Sequence, residues 1–140
     1  DRYTASNIGH QGEKIKDKEE RSKYFKWLYE LEYEIFGIPK PAINLILKTS
    51  PEISLRMAND IKDEEKKNRR KSYLGDDKNQ DIHEKDLNHQ LNTLESYLQA
   101  AAEYPGDFKI IDCLSENGEL MSPDSIHKNI VKTVCNETVS

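Results

Sequence analysis

The sequence predicts an α/β domain built on a parallel sheet. Two short, almost continuously apolar runs, Ala42–Leu47 and Phe108–Cys113, have the length and composition of strands covered on both faces. Longer stretches with apolar residues three and four positions apart flank and separate them, which is the spacing of helices with one buried face. Strands alternating with helices are the pattern of parallel β–α–β connections.

At 140 residues a single domain is expected, spanning 1–140, with enough chain to bury a core. A hydrophobic content of 35% against a charged content of 34% suits a helical, highly soluble domain better than a sandwich or barrel. The net charge of -5 argues against broad nucleic-acid binding. Neither a transmembrane run nor a signal peptide is visible, so no membrane partner and a cytoplasmic location are expected. Cys113 and Cys135 do not form a disulfide pattern and read as reduced thiols. In that setting the sequon Asn136-Glu137-Thr138 carries no glycan. The chain opens on Asp1 instead of Met, inside what reads as a functional motif, so further residues upstream are expected.

Taken in order, Ala5 to about Asp17 suits a first helix with Ser6 or Asn7 near its start. Tyr24, Leu28, Leu31 and Ile35 then mark the buried face of a second helix, widened by Phe25, Trp27 and Phe36, with Gly37 and Pro39-Lys40-Pro41 ending it. After the strand at Ala42–Leu47, Thr49 or Ser50 caps a helix whose inner face is Ile53, Met57 and Ile61. Apolar residues almost vanish between Lys62 and Lys85, where Lys66–Lys71 is a basic run and Gly75–Gln80 is composed like a loop. Such a run is either a solvated face or a mobile basic lid over phosphates. Asp86 suits a cap for a helix lined by Leu87, Leu91, Leu94 and Leu98 and ended by Tyr104-Pro105-Gly106. Asn117-Gly118 turns the chain after the strand at Phe108–Cys113. Ser122-Pro123 then starts a last helix with Ile126, Ile130, Val131 and Val134 inward. Two strands are few for a parallel sheet, so further strands are expected before Asp1 or from a partner.

Chemistry concentrates in the first dozen residues. Arg2 offers a planar fork that matches phosphate oxygens, and the N–H groups of a helix start favour anions. His83-Glu84 lacks a second His four residues after the first, so no metal motif is present. No nucleophile elbow occurs, and no Gly-x-x-x-x-Gly-Lys-Ser/Thr loop.

With these residues laid out, the chain resembles the thymidylate kinase family, whose members transfer the γ-phosphoryl group of ATP to dTMP. Asp1-Arg2-Tyr3 is similar to the family's Asp-Arg-Tyr/His motif, continued by Ala5-Ser6-Asn7 and His10-Gln11-Gly12. Phe36-Gly37-Ile38-Pro39-Lys40-Pro41 resembles the approach to the next strand, and Ser50-Pro51-Glu52 the helix start after it. Asp81–Asp86 is similar to the end of the lid, while Ile111-Asp112-Cys113 and Ile126-His127 match the closing strand and helix. The resemblance runs from Asp1 to about Val134 and departs from the family at Ala42 and Lys48, where acidic residues are common.

The resemblance implies a P-loop nucleoside monophosphate kinase-like three-layer α/β/α fold. Only its C-terminal part would be present, with two strands, about five helices and a lid-like segment at 62–85, and inactive alone. It implies that Arg2 holds the dTMP phosphate and that Asp1 organises the magnesium and phosphate region. Ser6, Asn7 and Gln11 would line the thymidine pocket. Asn7 suits the base edge because an amide matches thymine N3–H and O4. Arg69 and Arg70 would be lid arginines acting in catalysis, and Cys113 and Leu114 the rim against adenine. Mg2+ would come with ATP, with no direct metal ligand here, and the complete protein would be a homodimer. The contrasting expectations are a non-enzymatic kinase-like interaction module, or a kinase for another nucleoside monophosphate.

Overall fold

The computed structural model of the chain describes residues 3–59 and 79–138. Its architecture is mixed α/β, with a two-stranded parallel sheet. In order the elements are α1 (Thr4–His10), a 3-10 turn (Gly12–Lys14), α2 (Lys18–Tyr29) with a wider continuation (Glu30–Ile35), β1 (Asn44–Lys48) and α3 (Pro51–Asn59). They are followed by α4 (Asn79–Glu103), β2 (Phe108–Asp112) and α5 (Pro123–Thr138). The chain divides into two compact units, a larger one of residues up to Thr49 with those from Asn92 onward, and a smaller one, Ser50–Leu91.

The first helix is shorter than its sequence suggests. α1 ends at His10, and Asp17 begins α2 instead of closing α1. Asp17 is extended at φ -76 and ψ 128, and its carboxylate accepts the Glu20 N–H at 2.9 Å. Glu19 and Glu20 add charge at the positive end of the α2 dipole. At the start of α1 the cap position is Tyr3, which makes no side-chain cap bond, so Ser6 and Asn7 lie inside the helix.

Of the face expected for α2, Phe25 and Leu28 are buried, together with Arg21, whereas Tyr24 and Leu31 are only half-buried. Trp27, Ile35 and Phe36 are 54%, 67% and 65% exposed. For Ile35 and Phe36 the cause lies over Glu30–Ile35, where N–H groups reach five residues back, as Phe36 does to the Leu31 carbonyl at 2.9 Å. The extra residue in the turn rotates Ile35 and Phe36 away from the core. Gly37, at φ +64, ends the helix as its sequence indicates.

β1 and β2 pair in parallel from Asn44↔Phe108 to Lys48↔Asp112. Burial on both faces is incomplete: Ile46, Phe108 and Ile111 are buried, whereas Leu47 and Ile110 are exposed. α5 packs against β2. The turns that precede the strands are clamped together. Asn44 donates its N–H (2.8 Å) and its Nδ2 (3.1 Å) to the Asp107 carbonyl. Lys40 Nζ stands 2.8 Å from Asp107 Oδ2 and 5.2 Å from the centroid of the Tyr29 ring. Tyr29 in turn stacks on Tyr104 at 4.6 Å. These contacts fix the register of two strands far apart in sequence.

The core of the larger unit joins Ile8 of α1, Phe25 and Leu28 of α2, Ile46 of β1, Phe108 of β2, and Ala100 and Ala101 of α4. The most buried positions of α4 in this unit are therefore Ser96, Ala100 and Ala101, with Leu94 and Leu98 only half-buried. Small residues are required there because α1 and the turn after it approach closely. Gly12 has Ser96 where its Cβ would be, and Ser96 Oγ donates to the Ile8 carbonyl at 2.7 Å. Upstream, Asn79 and Gln80 are helical and Asp86 lies within α4 instead of capping it. The helix formers Glu84 and Lys85 carry the helix past that position.

In the smaller unit Ser50 caps α3, its Oγ accepting the Ile53 N–H at 3.2 Å. Of the expected inner face, Ile53 is half-buried, Met57 is exposed, and Ile61 lies outside the described residues. Beyond β2 the chain turns at Gly118, φ +77, and Leu114 bridges back to Leu120. Ser122 Oγ accepts the Ser125 N–H at 3.3 Å and Pro123 opens α5, as the sequence predicts. No helix among the described residues is long and apolar enough to cross a membrane.

Candidate functional site

One group of polar side chains lies where α1 meets the wider helical turn after α2. Thr4 and Asn7 are three positions apart and share a face of α1. Both donate to one carboxylate: the Thr4 hydroxyl to Glu32 Oε2, and Asn7 Nδ2 to Glu32 Oε1 at 3.3 Å. Thr4 is 2% exposed, while Asn7 stands at the surface. The Glu32 backbone is held as well, its carbonyl accepting the Ile38 N–H at 2.9 Å. The Tyr3 hydroxyl donates to the Pro39 carbonyl, and the Tyr24 hydroxyl donates to the Asn7 carbonyl at 3.4 Å. The first turn of α1 is thus tied to the 30–39 segment at several points.

The electrostatics keep the Tyr24 hydroxyl protonated. Burial, followed by the negative charge of Glu32, pushes the Tyr24 phenol above its ordinary pKa. An ionised carboxylate only accepts, so Glu32 must take Nδ2 of Asn7, leaving Oδ1 as that amide's outward acceptor.

Of the residues expected to bind a ligand, Ser6, Asn7 and Gln11 come together on or just after α1. Ser6 is half-buried, and Asn7 and Gln11 are exposed and four positions apart, on one side of the helix. Gln11 Oε1 accepts from Lys14 Nζ at 2.9 Å. Asp1, Arg2, Arg69 and Arg70 lie outside the described residues.

A second group sits at the carboxyl ends of the strands, where ligands of open parallel sheets bind. Lys48 Nζ is 3.4 Å from Asp112 Oδ2, and Asp112 Oδ1 accepts the Leu114 N–H at 3.1 Å. That backbone N–H, with a smaller contribution from Lys48, holds the Asp112 carboxyl below its ordinary pKa. Cys113 is buried and its thiol is pushed up by burial and then by Asp112, so it is no ready nucleophile. Cys113 therefore has only backbone to offer a rim; Leu114, half-buried, is the residue of the pair with side-chain surface to offer.

Among the described residues no group of three or more His, Cys, Asp or Glu side chains could hold a metal ion. Glu32 and Asp112 are each engaged by the protein's own donors, and they do not make the oxygen cage that a magnesium ion needs.

No protein-family model, no curated protein and no solved structure matches the chain.

Glu32 and Thr4 carry the α1 cluster, yet neither was distinguished by sequence. Glu32 is 25 positions from Asn7, so no motif spacing links them. The only trace is a carboxylate set in the apolar line between Leu31 and Tyr33.

Proposed function

We propose that this chain carries the monophosphate-binding side of a thymidylate kinase, which moves the γ-phosphoryl group of ATP to dTMP. One observation carries the reading: the Asp1-Arg2-Tyr3 motif leads directly into a helix on which Asn7 is held with Oδ1 as its outward acceptor. An amide oxygen so fixed matches the N3–H of thymine. Arg2, two residues before the helix, would grip the 5′-phosphate through its fork, with Ser6 and Gln11 beside the nucleoside. Asp1 and the lid arginines Arg69 and Arg70 would face the transferring phosphoryl group, and the Leu114 loop would meet adenine.

Such a reaction proceeds mainly by positioning and charge stabilisation, so no nucleophilic side chain is required. Magnesium would supply charge neutralisation when it arrives bound to ATP, and no residue described here is assigned to it. No phosphate-cradling Gly-x-x-x-x-Gly-Lys-Ser/Thr loop occurs in the 140 residues, so the reading gives this chain the dTMP side and not the grip on the ATP phosphates. It extends the observed parallel pair to a three-layer kinase-like sheet.

The test is calorimetric binding of dTMP and of inorganic phosphate to the intact protein and to its Asn7→Ala variant. The variant is expected to lose about tenfold or more in dTMP affinity and to keep its phosphate affinity. Equal losses for both ligands, or no dTMP binding by the parent protein, would sink the assignment.

A further inference from the structure

We infer that Glu32 is a positioning residue that sets base choice. By locking the Asn7 amide in one orientation it would restrict the site to pyrimidine nucleotides that carry an N3–H, thymine or uracil, and exclude cytosine. This inference rests on the thymidylate reading above and goes beyond it by naming the origin of the discrimination.

A surface asparagine presents either end of its amide, and exchanging the ends costs little when both face water. The NH2 end suits cytosine, whose N3 is an acceptor; the oxygen end suits thymine or uracil, whose N3 bears a proton. Glu32 removes the choice. Turning the Asn7 amide over would set Oδ1 against Oε1, two acceptors, one of them charged, in place of the 3.3 Å bond from Nδ2. The carboxylate cannot turn away to relieve this, because Thr4 holds its other oxygen. Thr4 is almost fully buried, and its hydroxyl proton has Glu32 Oε2 as its acceptor. The backbone beneath is fixed too, since the Glu32 carbonyl takes the Ile38 N–H within the widened helical turn.

Orientation therefore passes from Thr4 to Glu32 to Asn7 and on to the base, and every link has its direction set by which atom carries hydrogen. Nothing in this chain of bonds addresses carbon 5 of the ring, so it separates cytosine from both 4-oxo bases without separating thymine from uracil.

Calorimetry with dTMP, dUMP and dCMP on the intact protein and on Glu32→Gln tests this. The parent protein is expected to bind dTMP and dUMP about tenfold or more tightly than dCMP. In Glu32→Gln the new amide can donate as well as accept, so Asn7 is released to turn. The dTMP-to-dCMP affinity ratio should then fall towards one. Equal weakening of all three ligands with the ratio intact would reduce Glu32 to a structural role and overturn the inference. Should Glu32→Gln fail to fold, Thr4→Val keeps the carboxylate and releases only Oε2, and a partial fall in the ratio is expected; an unchanged ratio there overturns the inference equally. A parent protein that binds dTMP but prefers dCMP overturns this inference alone, whereas one that binds none of the three overturns the thymidylate reading and this inference with it.

Discussion

Gly9 and Tyr97 leave no space between them: a Cβ on Gly9 would overlap the distal ring carbons and hydroxyl of Tyr97. Gly9 lies in the last turn of α1, where helix propensity alone would favour alanine by about 1 kcal/mol. Overpacking acts in the opposite direction and costs about 1–3 kcal/mol. Gly9→Ala is therefore expected to lower stability in urea denaturation, and Gly9→Ala with Tyr97→Leu to recover most of the loss. A stabilised single variant would mean that the ring moves aside freely.

Arg21, 2% exposed, gives a second prediction. Its Nε donates to the carbonyls of Gly12 (3.1 Å) and Ile15 (2.9 Å), and Nη1 donates to Gln99 Oε1 at 3.0 Å, with Glu95 at 3.5 Å. Removing the guanidinium leaves buried acceptors without donors. Arg21→Met should cost about 1–3 kcal/mol for each carbonyl left unpaired, read by chemical denaturation. Lysine should not restore it, since a point ammonium cannot reproduce the fork. Full recovery in Arg21→Lys would show that charge alone matters at this position.

The helix caps are a milder test. Asp17→Ala and Ser122→Ala each remove a side chain that accepts a first-turn N–H, at 2.9 and 3.3 Å. Each is expected to cost about 0.5–2 kcal/mol in thermal or urea melts, with Asp17→Asn nearly neutral. A loss as large in Asp17→Asn would point to charge rather than hydrogen bonding.

What the sequence makes legible here is local. Gly37, Gly118, Ser50 and Ser122-Pro123 act on their own neighbours, and each appears in the structure in the role its type suggests. The two strands are legible as apolar runs, although their cover is not: Leu47 and Ile110 belong to those runs yet remain exposed. What is not legible depends on distant partners. Arg21 meets Gln99 across 78 positions, Ser96 meets Ile8 across 88, and Glu32 meets Asn7 across 25. The exposure of Ile35 and Phe36 follows from a turn with one residue too many after α2, and no apolar period reveals that in advance. At the candidate site the sequence singles out Ser6 and Asn7 as expectations, whereas nothing in it singles out Glu32, to which Asn7 donates.

The pH dependence arises from two groups with opposite signs. Burial of the Tyr29 hydroxyl, then the charge of Asp107 and a hydrogen bond to it, hold its proton well above the ordinary value of 10.0. Its contribution is present below pH 10 and is lost as pH rises, because the unfolded chain ionises there and the folded one does not. Tyr29→Phe should shrink the alkaline fall in melting temperature at little cost near neutrality. Burial shifts Tyr24, Tyr33 and Tyr104 in the same direction, so part of the fall should persist. Asp112 is depressed below 3.8, so its contribution is present above that value and disappears on acidification, and Asp112→Asn should flatten the acid limb. An unaltered alkaline limb in Tyr29→Phe, or an unaltered acid limb in Asp112→Asn, would refute the corresponding assignment.

The chain contains a single tryptophan, Trp27, with its ring 5.9 Å from that of Tyr24. The hydroxyl of Tyr24 rests on the Asn7 carbonyl. Under the proposed binding of dTMP against Asn7, a change in the indole emission on adding dTMP is the expected outcome. The protein carries its own optical reporter, and its intrinsic emission should register occupancy of the α1 site without any label.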